Sequence, residues 1–271
     1  MWPNGCTARA DVTASEGPDD GETLDSIGTA DVRVFQRRTG YRFTLDAVLL
    51  AHFAATEGRD LPGPVLELGA GSGVVSLLLV KQFGVTGPVD ALELQPAVHA
   101  RLTRAVALNG CEGRVRPVLG DLREARSLFA SGAHGQVVSN PPFRRAEAGV
   151  VSPDLERAVS KSEVACDAAS VVAAARHALR PGGGVSLVYP AARLAEVLGL
   201  LERARLFPRV LRSVHARVEA PATRFLVQAL RDQDRGLSVR PPLIVHGEGP
   251  GGYSAEVAAL MDVPLAERGG G

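Results

Sequence analysis

The chain has 271 residues, 45% of them hydrophobic and 22% charged. That length and mixture support a buried core and exclude collagen-like, coiled-coil and fully disordered chains. Lys plus Arg and Asp plus Glu each total 30, so the formal net charge is zero and any nucleic-acid binding must come from local patches. The three cysteines (Cys6, Cys111, Cys166) show no CxxC spacing and the six histidines lie far apart. This predicts no disulfide scaffold, no metal site and a reducing, cytoplasmic setting. The opening residues lack a signal-peptide pattern, and no apolar run approaches the length that crosses a bilayer.

Residues 1–30 read as a disordered acidic tail: six acids (Asp11, Glu16, Asp19, Asp20, Glu22, Asp25) accompany one base, Arg9, with few large apolar side chains. The rest of the chain is mildly basic. Val32, Val34 and Tyr41 to Phe43 predict a short hairpin around Thr39-Gly40, and Thr44 then caps a helix running from Leu45 to Phe53. After the Pro62-Gly63-Pro64 break, apolar strand runs alternate with amphipathic helices. The strands are predicted at Val65–Leu68, Val89–Leu94, Val115–Leu119, Gln136–Ser139, Val185–Tyr189, Val210–Val214 and Phe225–Leu230. The helices are predicted at Val74–Phe83, Ala97–Asn109, Leu122–Phe129, Val164–Leu179 and Ala191–Ala204. Repeated strand–helix–strand units predict a doubly wound, mostly parallel seven-stranded α/β sheet, Rossmann-like, with the last strand antiparallel. One domain is expected over residues 31–235. Residues 236–271 are expected as an extension packed on that domain, with a disordered end.

Val65-Leu66-Glu67-Leu68-Gly69-Ala70-Gly71-Ser72-Gly73-Val74 reads as a strand, a glycine turn and a helix start, the place where a doubly wound sheet binds a nucleotide. Val74 stands where a dinucleotide fingerprint needs its third glycine, and the loop has no lysine, so it is not a Walker loop. A carboxylate at Glu67 would repel a pyrophosphate and suit a cationic ligand. S-adenosylmethionine carries a sulfonium and an ammonium and has no phosphate, and so fits. Glu93 lies 22 residues after Gly71, about where this fold places the acid that binds ribose hydroxyls. Asp121 follows the next strand, where a carboxylate can meet the adenine amine.

The fourth of these strands ends in Val137-Val138-Ser139-Asn140-Pro141-Pro142-Phe143. Here the chain resembles the class I S-adenosylmethionine-dependent methyltransferases, in particular those whose Asn-Pro-Pro-aromatic motif serves methylation of a planar amine or amide nitrogen. The chemistry accounts for the residue types. An exocyclic adenine amine is a poor nucleophile because its lone pair is delocalised into the ring. The Asn140 side-chain carbonyl and the Pro141 main-chain carbonyl can each accept one amine hydrogen, which favours a pyramidal nitrogen and stabilises its developing charge. Prolines hold those acceptors rigid, and Phe143 offers a face on which the base stacks, for about 1–3 kcal/mol.

The likeness extends further. Gly40-Tyr41-Arg42-Phe43-Thr44-Leu45-Asp46-Ala47-Val48-Leu49-Leu50-Ala51, Val106-Ala107-Leu108-Asn109-Gly110, Pro241-Pro242-Leu243-Ile244-Val245-His246 and Tyr253-Ser254-Ala255-Glu256-Val257 together resemble the bacterial tRNA (adenine-N6) methyltransferases that act on adenosine 37 of a valine tRNA, over roughly residues 31–262. The resemblance implies that Asn140, Pro141, Pro142 and Phe143 are catalytic. It implies that Phe43, Asp46, Glu67, Gly69, Ala70, Gly71, Ser72, Gly73, Glu93, Leu94, Asp121, Leu122 and Asn140 hold S-adenosylmethionine. Arg144, Arg145 and Lys161 would then grip a tRNA anticodon loop, with neither metal nor membrane involved. Two departures stand out: Lys161-Ser162-Glu163 replaces an expected Arg-His-Glu, and Phe143 stands where Tyr is common. Three other readings remain open at this point: protein glutamine-amide methylation, for which the stretch ahead of Val65 is expected to be too short to hold the usual helical domain; a non-catalytic RNA-binding module; and a small-molecule methyltransferase.

Overall fold

A computed structural model describes residues 17–28, 30–39, 42–61, 63–141, 168–248 and 252–262. Four short parallel strands, β3 (Val65–Leu68), β4 (Val89–Glu93), β5 (Val115–Leu119) and β6 (His134–Ser139), form the sheet's centre and one edge. β3, β4 and β6 are buried at every residue, as expected for strands covered on both faces. β7 (Leu179–Pro190) continues in parallel beside β6, and β9 (Ala222–Arg231) runs antiparallel between β7 and β8 (Leu206–His215). The spatial order is β10-β8-β9-β7-β6-β3-β4-β5, with β11 also on β8. The doubly wound, mostly parallel sheet is therefore as read from the sequence, and β9 supplies the antiparallel strand. Among the described residues the sheet has nine strands rather than seven, because β10 (Ser238–Val239) and β11 (Leu243–Ile244) add short parallel pairings to β8.

One face of the sheet carries α1 (Leu45–Glu57), α2 (Val74–Lys81) and α3 (Pro96–Leu108). The other carries α4 (Ala125–Leu128), α5 (Ala168–Ala178) and α6 (Leu194–Arg203). Helix α1 buries Ala47 to Ala51 and Phe53 to Ala55, and each large apolar side chain so removed from water contributes roughly 1.5–3 kcal/mol. Two of the expected helices begin with a 3₁₀ turn, at Leu122–Glu124 and Ala191–Arg193, before α4 and α6. The C-terminal segment packs on the same body through α7 (Ala255–Asp262). Val257 and Leu260 of α7 are buried, Gln82 Nε2 donates to the Leu260 carbonyl at 2.9 Å, and Glu256 pairs with Arg212 at 2.7 Å.

The N-terminal reading needs correction. Glu22–Ile27 (β1) pairs antiparallel with Val32–Arg37 (β2) across a turn in which Gly28 and Asp31 have positive φ. The ordered body therefore starts before residue 31, and the partner of β2 is β1 rather than Tyr41–Phe43. Gly40 and Tyr41 lie outside the described residues. Composition misled because Asp19, Glu22 and Asp25 are paired with arginines distant in the chain. Arg104 on α3 meets Glu22 at 2.8 Å and Asp19 at 2.7 Å, and Arg42 meets Asp25 at 2.6 Å. Such pairs offset the cost of withdrawing Glu22 from water. The remaining residues of the expected tail, 1–16, lie outside the described residues.

Gly73 caps α2 from a left-handed conformation at φ 85°, and a Cβ there would stand 2.4 Å from Leu102 Cδ1. Gly73→Ala therefore combines left-handed strain with overpacking, and urea unfolding is expected to show a loss of about 2–4 kcal/mol.

Candidate functional site

The sheet reverses its winding between β3 and β6: β3, β4 and β5 follow one another on one side, and β6 and β7 on the other. A crevice at the carboxyl ends of the strands forms at such a switch point. Register places the ends together. Leu68 pairs with Leu92 and with Ser139, and Glu93 pairs with Leu119. Gly69, Leu94, Gly120 and Asn140, each the next residue of its strand's exit, therefore share one edge.

The glycine loop is built for close approach. Gly69 and Ala70 donate their N–H groups to the Leu92 carbonyl at 2.9 and 2.8 Å, which bends the chain over β4. Gly69 and Gly71 have φ of 74° and 56°, and a Cβ on either would meet no atom within 4 Å. Backbone strain demands glycine there, and the space beside it is open. Ser72 is half-buried, while Ala70 and Gly73 are buried.

The three acids expected at the strand ends do different things. Glu93 is 6% exposed; its Oε2 accepts the Gly71 N–H and its Oε1 the Gln95 N–H, both at 2.9 Å. Burial raises its pKa, while these backbone donors act in the opposite direction. Glu93 thus ties the end of β4 to the glycine loop, beside half-buried Leu94. Asp121 caps the 3₁₀ turn: Arg123 N donates to Oδ1 at 2.8 Å, and the Arg123 guanidinium forks onto Oδ2. That pairing holds its carboxyl below the usual range, and Leu122 beside it is buried.

Glu67 corrects the sequence argument. It is 2% exposed, and Oε2 accepts both the Ser76 N–H, at 3.0 Å, and the Ser76 hydroxyl. It lies between β3 and α2, and burial pushes its pKa up to about 8. At neutral pH the neutral acid predominates, so Glu67 does not present the fixed negative charge that the sequence reading used against a phosphate. Ser76, the lone polar residue in the apolar run of α2, was the signal for a buried partner.

At the end of β6, Ser139 is buried and its Oγ donates to the Leu68 carbonyl at 2.8 Å. That bond locks the last residue of β6 to the last of β3, so Asn140 leaves the sheet beside Gly69. Asn140 is half-buried and Pro141 is buried. Pro142, Phe143, Arg144, Arg145 and Lys161 lie outside the described residues. Phe43 is half-buried, packs against the core and donates its N–H to Gln36 Oε1 at 2.7 Å. Asp46 accepts from Arg224 Nε on β9 at 3.1 Å. Sequence reasoning missed Ser139, Gln36 and Arg224, whose partners are distant in the chain. Among the described residues there is no cluster of three or more metal-ligating side chains, and no helix is long and apolar enough to cross a membrane.

The buried Glu67 makes stability pH-dependent. It binds its proton more tightly folded than unfolded, so its contribution is complete below the ordinary value of 4.5 and is lost as pH rises through about 8. Glu67→Gln keeps a neutral isostere and removes that titration. Denaturant unfolding between pH 5 and 8 is expected to show wild-type stability falling relative to Glu67→Gln, with a limiting slope of about 1.4 kcal/mol per pH unit.

Comparison with known proteins agrees with this geometry. The tRNA1(Val) (adenine(37)-N6)-methyltransferase of Porphyromonas gingivalis is 26% identical over 234 residues, covering 82% of this chain and 87% of that one. The protein of the same name from Aeromonas salmonicida is 28% identical over 218 residues, covering 80% and 87%. Among solved structures, a predicted O-methyltransferase of Agrobacterium tumefaciens superposes with a TM-score of 0.63 at 20% identity, over 79% of this chain and 94% of that one. The tRNA m1G37 methyltransferase of M. jannaschii gives 0.53 at 15% identity, over 79% and 58%. These structural likenesses establish a shared fold, that of the class I methyltransferases. The family model for the methyltransferase small domain matches residues 45–204, more than half the chain, and the protein belongs to that family.

Proposed function

We propose that this protein is an S-adenosylmethionine-dependent methyltransferase acting on the exocyclic amine of adenine in RNA, at adenosine 37 of a tRNA. The observation that carries the reading is the placement of Asn140 and Pro141. They leave β6 beside the glycine loop, in a register fixed by the Ser139–Leu68 bond. The names of the relatives matched over four-fifths of the chain supply the nucleoside and the RNA, and a cytoplasmic location accords with that substrate.

The crevice suits the cofactor. Gly69 and Gly71 leave open space at the loop, and Glu93 stands beside it with its carboxylate already aligned by Gly71 and Gln95. Glu93 would take the ribose hydroxyls, Gly69 to Gly73 the methionine portion, and Leu94, Asp121 and Leu122 the adenine. Phe43 and Asp46 would close the crevice from the α1 side. When bound, S-adenosylmethionine supplies an electrophilic methyl group on a sulfonium.

The chain's own residues do the rest by positioning. Asn140 Oδ1 accepts one hydrogen of the target amine and the Pro141 carbonyl accepts the other. Acceptors held in place before reaction need no reorganisation as positive charge grows on nitrogen. Holding nitrogen in line with the methyl–sulfur bond accounts for much of the acceleration. After transfer the nitrogen sheds one proton to water, so no base need act beforehand. Phe143 would stack the splayed base, and Arg144, Arg145 and Lys161 would meet the RNA phosphates. Lys161-Ser162-Glu163 is the segment that departs from the pattern of the resembled family.

Asn140→Ala removes one of two acceptors and leaves the glycine loop untouched. Radiolabel transfer to unmodified tRNA is expected to fall at least 100-fold, while calorimetry shows cofactor affinity within about threefold of wild type. Full activity in this variant, or label appearing in release factor with tRNA inert, would overturn the reading.

A further inference from the structure

The sequence segments around His246 and Tyr253 are not used by the proposed chemistry, yet the topology brings them to the reactive edge. β9 is antiparallel to both β7 and β8, so β8 ends at the same edge as β6 and β7. Along that rim the exits run from Asn140 past Pro190, which pairs with Arg224, to Val214, which pairs with Arg224 on one side and Leu243 on the other. Four strand steps separate β6 from β11, roughly 19 Å at the usual spacing.

At the far end of this rim two features meet. The β8–β9 turn exposes Val218, 71% accessible, beside Arg217, which is exposed and forms no ion pair with another described residue. Next to it, the His246 main-chain N–H donates to the Ala216 carbonyl at 2.9 Å, and His246 forms an antiparallel backbone bridge with Tyr253. The two rings lie nearly parallel, 9° apart with centroids separated by 6.0 Å. Tyr253 packs partly against the core, whereas His246 is exposed. The pair therefore forms a flat aromatic face that is anchored from beneath and open above, with a cation on the adjoining turn. That combination suits an unpaired nucleotide: the ring face takes a base, and the guanidinium takes its phosphate.

We infer that His246, supported by Tyr253, and Arg217 form a second RNA contact, which holds a single-stranded nucleotide flanking the target adenosine about 19 Å from the reacting amine. The inference rests on the RNA reading above. Methyl transfer to tRNA by the unaltered protein tests that reading separately.

The experiment measures methylation kinetics of unmodified tRNA at several salt concentrations for the full chain, Arg217→Ala, His246→Ala and His246→Phe, with thermal melting as a check on folding. Arg217→Ala is expected to raise KM several-fold with kcat within twofold. Its log–log dependence on salt should be shallower by about one. His246→Ala is expected to raise KM about tenfold, and His246→Phe, which keeps a stacking face, to restore it. The inference fails if the unaltered protein methylates tRNA and both alanine variants keep its KM and salt dependence. It also fails if His246→Phe is as impaired as His246→Ala, or if the variants weaken cofactor binding instead.

Discussion

β3 and β6 are neighbours in the sheet but lie about seventy residues apart in the chain, and their register is the constraint on which the site rests. A slip of one residue in a parallel pair would turn every side chain of one strand to the other face of the sheet. It would also carry Asn140 away from the glycine loop. Both strands are buried at every residue, so such a slip would require both packed layers to rearrange. The Ser139 hydroxyl on the Leu68 carbonyl adds a point of registry at the very end, where a strand frays most easily. The loop between β3 and α2 and the motif after β6 are thus two local structures aligned by one long-range pairing.

Two glutamates flank the same loop, and their surroundings separate their roles. Glu67 lies beneath it, held by Ser76 alone and withdrawn from water, so its neutral form persists to about pH 8. Glu93 lies at the loop's mouth with two backbone N–H groups on its oxygens, which oppose the effect of burial. A neutral acid beneath the loop avoids the repulsion of two adjacent carboxylates. Of the two, Glu93 is the one whose oxygens are tied to the backbone of the loop itself. The sequence shows two acids one strand apart but cannot show that one is held by Ser76 and the other by backbone N–H groups.

What was legible in the chain was local. The bounds of β3 and β5 coincide with the runs predicted at Val65–Leu68 and Val115–Leu119, because each is a short stretch rich in Val and Leu that stops at a glycine. The loop glycines were legible because left-handed backbone has a distinct residue preference. What escaped depended on partners far along the chain. β1 carries polar residues on its outer side and reads as tail until Arg104, some eighty residues later, takes Glu22 and Asp19. Asp46 reads as a first-turn helix acid or a ligand contact, and only the packing of α1 on β9 brings Arg224 to it. β10 and β11 are two residues each, too short for periodicity to register.

The balanced charges are distributed through similar long-range pairings. Acids near the N-terminus pair with arginines of α3 and with Arg42, and Glu57 and Glu256 pair with Arg240 and Arg212 of the C-terminal half. Such pairing removes charge where the chain is folded against itself. Cations outside such pairs then set the local field, and Arg217 on the β8–β9 turn is one. A protein of neutral composition can in this way attract a polyanion to one edge of its sheet without a long-range field that would hold nucleic acid indiscriminately. Under the proposed function, selectivity would then pass to contacts that act only at close range, the aromatic face and carbonyl acceptors proposed for the same edge, which require an unstacked base.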